Sequence, residues 1–137
     1  MSQRINYSRQ SPEPTRKLYE LGQLAKESGL EAGLLDLVNI RASLLNGCAF
    51  CTDMHVKEAK IHGERELRVY HVPIWRESTL FSPRERAALE WTEAVTQLPA
   101  HGISDEIVEV RVRRLEVPRE IAHVRRGRFL SGKRGFW

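Results

Sequence analysis

No run in this sequence approaches the roughly 20 apolar residues that a helix needs to cross a bilayer, so no membrane-spanning helix is expected. The first ten residues are polar and lack the apolar core of a secretory leader, which makes the cytoplasm the expected compartment. Nothing repeats at a fixed period, no segment is of low complexity, and no stretch alternates convincingly between apolar and polar residues. Val108, Val110 and Val112 do alternate, but the acidic start at Ser104, Asp105 and Glu106 marks a helix there. Cysteine is scarce as well: Cys48 and Cys51 are the only two. In a cytoplasmic chain a C-x-x-C pair reads as catalytic or metal-binding rather than as a structural staple.

What is present is an ordinary soluble composition. The 137 residues suffice for one domain with a real core, 41% of them hydrophobic and 29% charged. The net charge of +4 hides an asymmetry. Residues 110–137 carry nine Lys or Arg against two Glu, a net +7, while 13 basic and 16 acidic groups leave the first 109 residues at −3. The expected division is an N-terminal arm at 1–13, a helical domain at 14–115 and a basic, poorly patterned tail at 116–137.

Helical spacing organises the domain, and the fold class it predicts is all-α. Leu18, Leu21, Leu24 and Ala25 recur at helical intervals over 14–28, with Gly29 as the stop. A second helix over 31–45 is apolar around much of its circumference, through Leu34, Leu35, Leu37, Val38, Ile40, Leu44 and Leu45, and belongs in the centre of the core. Asn46-Gly47 breaks it, and a third helix carries the cysteines to about position 62. Gly63 separates a short helix over 64–72, stopped by Pro73, and 74–78 forms a turn or short helix. Ser82, Pro83 and Glu85 then make a capping box, starting a helix that ends before Pro99. One more helix is expected from Ser104 to about 115. Beyond it the patterning fails, with at most a short helix over 119–124.

With Asn46 or Gly47 opening the third helix, both sulfurs stand in its first turns. At about 100° per residue, Cys51 lies about 60° from Cys48, and His55 falls between them. The helix N-terminus favours a thiolate. His55, one turn after Cys51, can take a thiol proton and return it to a leaving group near neutrality. Two plainer readings compete. The cysteines can be small buried hydrophobes, or they can join His55 in a zinc site that still needs a fourth ligand. His62, seven residues and about 10 Å further along the axis, cannot supply it, which leaves Asp36 or a subunit contact. A dithiol–disulfide couple needs only what is present, with no metal and no cofactor.

Asp36 sits among Leu34, Leu35, Leu37 and Val38. It is either a buried carboxylate with a partner or one on the wet edge of its helix, and physics alone does not choose. Phe50, Met54 and Ile61 share a neighbouring face of the third helix and are expected in the core. Trp75 and Trp91 are expected to pack, and His62, His71, His101 and His123 to be ordinary histidines.

The run from Leu37 to His55, LVNIRASLLNGCAFCTDMH, together with Gly63-Glu64, Trp75-Arg76-Glu77-Ser78 and SPRERAALEWTEA at 82–94, resembles the carboxymuconolactone decarboxylase-like superfamily, in its alkyl hydroperoxidase D-like branch. The resemblance covers about residues 15–109. It implies an all-helical fold assembled into symmetric homo-oligomers, commonly trimers or hexamers, and it implies thiol peroxidase chemistry on a hydroperoxide substrate. By position, Cys51 resembles the peroxidatic thiol that becomes a sulfenic acid, Cys48 the thiol that resolves it as a disulfide, and His55 the proton shuttle. An external dithiol must then reduce the disulfide.

Two features depart from that pattern. The upstream relay carboxylate, a glutamate in the family, falls on Asp36, one methylene shorter. Its link to His55 then needs a water or is lost, and peroxidase activity is weakened. The family also continues with one or two further amphipathic helices where this chain turns Arg-rich. A frame change or divergent end is the hypothesis this suggests, and an alternate reading frame without helical pattern would sink it. Loss of a core-completing helix favours oligomerisation. The rival functions are decarboxylation of a muconolactone-like acid, a non-enzymatic redox-sensing oligomer and, least expected, nucleic-acid binding through the tail.

Overall fold

The computed structural model describes residues 6–27 and 29–104. The expected helix from Ser104, the short helix at 119–124 and the basic tail lie outside the described residues, as do positions 1–5 of the arm. Among the described residues all regular structure is helical: α1 (Tyr7–Gln10), α2 (Pro12–Lys26), α3 (Ala32–Leu45), α4 (Ala49–Ile61), α5 (Glu66–His71) and α6 (Pro83–Thr96), with a 3-10 turn at Val72–Ile74 between the last two. This is the all-α architecture that the spacing predicts. No helix among these residues is long and apolar enough to cross a membrane.

Helix begins earlier than the arm at 1–13 suggested. Asn6 Oδ1 accepts the N–H of Arg9 at 3.0 Å to start α1. Pro12 then stands in the first turn of α2, where its missing N–H is no loss and its fixed φ is already helical. Gly29, at φ +82°, turns the chain between α2 and α3 in a conformation that only glycine takes up freely.

The fold is built around α3, which packs against α4, α6 and the 3-10 turn. Leu37 and Ile40 of α3 join Ala59, Val69, Val72, Trp75, Phe81 and Leu89 in one buried cluster. Leu34 joins Ala87 and Ala88 of α6 in a second, with Leu30 and Val38 against it. A helix that is apolar on most sides has to be enclosed on most sides. Full burial of each such Leu or Ile side chain contributes roughly 1.5–3 kcal/mol, so these contacts hold α4 in register on α3.

Polar contacts fix the second half. Ser82 caps α6: its Oγ accepts the N–H of Glu85 at 3.2 Å, and Glu85 Oε2 accepts the N–H of Ser82 at 2.7 Å. Glu93 of α6 gathers Arg41 of α3 (2.6 Å), Trp75 Nε1 (2.7 Å) and Arg76 (2.5 Å) on one carboxylate. Arg86 donates to the carbonyls of Trp75 (2.8 Å), Arg76 (2.7 Å) and Ser78 (2.9 Å), tying that turn to α6. The guanidinium groups of Arg76 and Arg86 lie 4.3 and 5.3 Å from the Trp75 ring centre. Trp75 is thus the buried packing residue the sequence suggested.

One expectation is overturned. Phe50, Met54 and Ile61 are exposed, Phe50 at 77% and Ile61 at 82%. At about 100° per residue the three lie on one side of α4, roughly opposite Val56 and Ala59, and it is the Val56–Ala59 side that meets α3. A single helix–helix contact covers one side only. Helix α2 goes further: none of its residues is buried, and Leu18, Leu21 and Leu24 are all exposed.

Candidate redox site

The site begins where α3 ends. Asn46 closes α3 and Gly47 takes φ +62°, a left-handed step that suits glycine. The N–H of Gly47 donates to the Leu44 carbonyl at 3.1 Å and that of Cys48 to the Ser43 carbonyl at 3.0 Å, so the last turn of α3 is satisfied. Three residues therefore suffice to turn the chain, and α4 returns along α3.

Cys48 is the N-cap of α4 rather than a residue inside it, with φ −86° and ψ 93°. The sequence expectation placed both cysteines within the helix from Asn46 or Gly47. The Asn-Gly turn uses up those positions, so the wheel angle between the sulfurs no longer applies. Cys48 Sγ accepts the N–H of Cys51 at 3.2 Å, the role a Ser or Asp oxygen usually fills. Thr52 Oγ1 donates to the Cys48 carbonyl at 3.0 Å. Cys48 and Cys51 are joined as a disulfide, with Cα atoms 5.3 Å apart, and both are half-buried. They are therefore not isolated small hydrophobes. Joined sulfurs are not thiolate ligands either, and among the described residues no three His, Cys, Asp or Glu side chains gather to hold a metal ion.

His55 stands one turn beyond Cys51, with its side chain 17% exposed. Its Nδ1 lies 2.7 Å from Oε2 of Glu58, three residues on. Glu58 also meets Lys26 of α2, Nζ to Oε1 at 3.6 Å. The hydrogen bond from His55 holds the Glu58 carboxyl below the usual range; burial opposes this and Lys26 adds to it. Asp36 is buried, its side chain 5% exposed, and its Oδ2 lies 2.7 Å from Nδ1 of His62, the residue that caps the C-terminus of α4. The wet-edge reading of Asp36 thus fails. Its partner is a histidine, and not the one the resemblance pairs it with.

The geometry explains the exchange. His62 is seven residues after His55, about 20° away round the helix and about 10 Å along it. As α4 runs back along α3, its far end comes level with Asp36 near the start of α3. A cavity of about 500 Å³ holds both pairs in its wall: Lys26 from α2, Asp36 and Asn39 from α3, and His55, Glu58 and His62 from α4, with Ala25, Leu30 and Leu35 as its apolar part. An adjoining cavity of about 390 Å³ shares His55 and Glu58 and adds Tyr19 and Met54. Neither cysteine lines either one.

The structure thus brings Cys48 and Cys51 into one bond, sets His55 a turn away, and puts Asp36 in the same cavity wall as His55 with its hydrogen bond directed elsewhere. Sequence reasoning missed Glu58 and His62. The first was visible as a carboxylate three residues after the histidine, a spacing that meets on a helix. The second was weighed as a fourth metal ligand, set aside on distance and otherwise taken as an ordinary histidine.

Known proteins of similar sequence and fold identify the family. The sequence profile of the carboxymuconolactone decarboxylase family matches residues 12–94, which include both cysteines, both histidine–carboxylate pairs and most of α6. The chain is 40% identical to the uncharacterized protein YdfG of Bacillus subtilis over 107 residues, 78% of this chain and 73% of that one. It is 37% identical to the uncharacterized protein YnjA of Escherichia coli over 75 residues, 54% of this chain and 41% of YnjA. The fold matches, at a TM-score of 0.79 and 39% identity, the crystal structure of an Agrobacterium tumefaciens protein of unknown function provisionally described as antioxidant defence protein AhpD. That match covers 90% of this chain and 84% of the other. With the profile spanning the helices that carry the C-x-x-C disulfide, and the same helical fold in an AhpD-like neighbour, this chain belongs to the carboxymuconolactone decarboxylase family, in its AhpD-like branch.

Proposed function

We propose that this protein reduces hydroperoxides through a Cys48/Cys51 dithiol–disulfide cycle. In the reduced protein Cys51 gives its thiol proton to His55 and attacks the terminal peroxide oxygen. The S–O bond forms as the O–O bond breaks, and the departing alkoxide takes the proton back from His55, giving a Cys51 sulfenic acid and an alcohol. Cys48 then attacks the Cys51 sulfur, closing the S–S bond as hydroxide leaves and is protonated to water. An external dithiol restores the two thiols by exchange. Asp36, in the position the resemblance assigns to the relay carboxylate, reaches this chemistry only through the cavity wall it shares with His55.

The observation that carries this reading is the disulfide at the cap of α4 with a half-buried imidazole one turn beyond it. The partners it implies are a hydroperoxide, a dithiol donor in a reducing compartment such as the cytoplasm, and further copies of this chain. The exposed Leu18, Leu21, Leu24, Phe50 and Ile61 give a homo-oligomer ample apolar surface to bury. Peroxide consumption in excess dithiothreitol, compared between wild type and Cys51→Ser, tests it. Activity should vanish in the variant. Equal rates would overturn the proposal, and lactone decarboxylation that survives the substitution would favour the rival enzyme class.

A further inference from the structure

We propose that Glu58 is the positioning residue for His55, occupying the role that the position twelve residues before Cys48 does not fill in this chain. This rests on the reading of His55 as the base that takes the Cys51 proton. The argument is geometric. Position 36 holds a carboxylate, but its Oδ2 is engaged by His62 at 2.7 Å, about 10 Å along α4 from His55. The carboxylate that does meet His55 is Glu58, Oε2 to Nδ1 at 2.7 Å, on the same helix and one turn on.

An ionised carboxylate only accepts hydrogen bonds, so Nδ1 of His55 carries the proton in this pair. The lone pair then sits on Nε2, which becomes the one nitrogen able to accept a proton from a thiol. Free imidazole carries its proton on either nitrogen, and a hydrogen bond at one selects the function of the other. The other charged or titratable groups around His55 are Lys26 from α2, which shares Glu58, Tyr19 from α2 in the adjoining cavity, and Asp36 with His62 across the first. Lys26 adds to the His55 hydrogen bond in favouring the ionised Glu58 and does not compete for Oε2, since its contact is to Oε1.

The experiment uses the reduced full chain as wild type, Glu58→Gln and Glu58→Ala, with Asp53→Asn as a control on the exposed side of α4. Long-range proton–nitrogen NMR should find His55 with its proton on Nδ1 in wild type, and shifted toward Nε2 in Glu58→Ala. Peroxide consumption should fall about a hundredfold in Glu58→Ala, the low end of what an acid–base group contributes. Glu58→Gln keeps an acceptor but not the charge. It should therefore lose less. The control should match wild type. The tautomer decides the matter: a proton on Nε2 in wild type, or an unchanged tautomer in Glu58→Ala, overturns the proposal even if rates fall. A tautomer that switches in a wild-type protein that consumes no peroxide leaves the positioning role standing and removes the peroxidase reading instead.

Discussion

Oδ2 of Asp36 lies 2.7 Å from Nδ1 of His62, and it is the aspartate, not the histidine, that is shut away from water. A buried carboxylate with one such partner depends on it. His62→Ala should therefore cost about 1–3 kcal/mol, the penalty for a buried polar group left unsatisfied. Asp36→Asn keeps an acceptor facing His62 and should cost less. Urea unfolding of the two variants against wild type checks the ranking, and the reverse order would mean that the imidazole contributes nothing to holding the carboxylate.

Acid should unfold this protein through Glu93 and Glu85. Burial pushes the Glu93 carboxyl up, but hydrogen bonds from Trp75, Arg76 and Arg41 outweigh it and hold the group below its ordinary value of 4.5. Glu85 follows the same pattern, with burial opposed by Arg68 and Ser82. A folded-state value below the unfolded one means that the stabilisation is complete above about pH 5 and is lost as the pH falls through the folded value. The urea midpoint should stay level from pH 7 to about pH 5 and then drop. Glu93→Gln should lower the unfolding free energy at pH 7 by about 3 kcal/mol, since Arg41 and Arg76 lose the charge they pair with and one acceptor oxygen becomes a donor, and should flatten the acid slope. An acid slope unchanged in that variant would place the titrating groups elsewhere.

Under the proposed cycle, removing the Cys48 sulfur should leave the peroxide step intact and halt turnover. In Cys48→Ser without added thiol, each chain should consume one peroxide and gain the mass of one oxygen, trapped on Cys51. Mass spectrometry of the intact protein reads this directly. The wild-type chain under the same treatment should instead lose two hydrogens as its disulfide closes, and a wild type that gains oxygen as the variant does would show that Cys48 is not the resolving group.

The apolar residues left uncovered should draw copies together. Sedimentation at micromolar concentration should show species larger than one chain, and Leu21→Glu or Ile61→Glu should shift the distribution toward smaller ones with helicity unchanged. A wild-type protein that sediments as single chains would remove the oligomer from the reading.

Much of this was legible in the residues themselves. Ser82-Pro83-Glu85 announced α6, because each of those side chains satisfies or tolerates an unpaired helix-start N–H and few other arrangements use all three. The near-continuous apolar circumference of α3 put it at the centre, since no partly wet position suits such a helix. Cys48 was placed inside the helix rather than at its cap because wheel angles assume helical backbone, and a cap residue by definition lacks it. Phe50, Met54 and Ile61 were misplaced for another reason. Periodicity says which residues share a side of a helix, not which side a neighbour covers.

The pairing of the two carboxylates was harder. That Asp36 lies level with His62 rather than His55 depends on how far α4 slides along α3, which the Leu37, Ile40 and Ala59 contacts decide and no local pattern encodes. Glu58 was the more accessible miss. Once a histidine is singled out on a helix, an acidic residue three positions later is the first place to look for what orients it.

The covalent link between positions 48 and 51 encloses only a few residues. Chain-entropy arguments give so small a ring about 2 kcal/mol of stabilisation, against nearly 5 for one of about 100 residues. The core at Leu37, Ile40 and Leu89, which that ring does not span, carries the rest of the fold. Opening the link should therefore leave the scaffold standing, as the proposed thiol cycle requires.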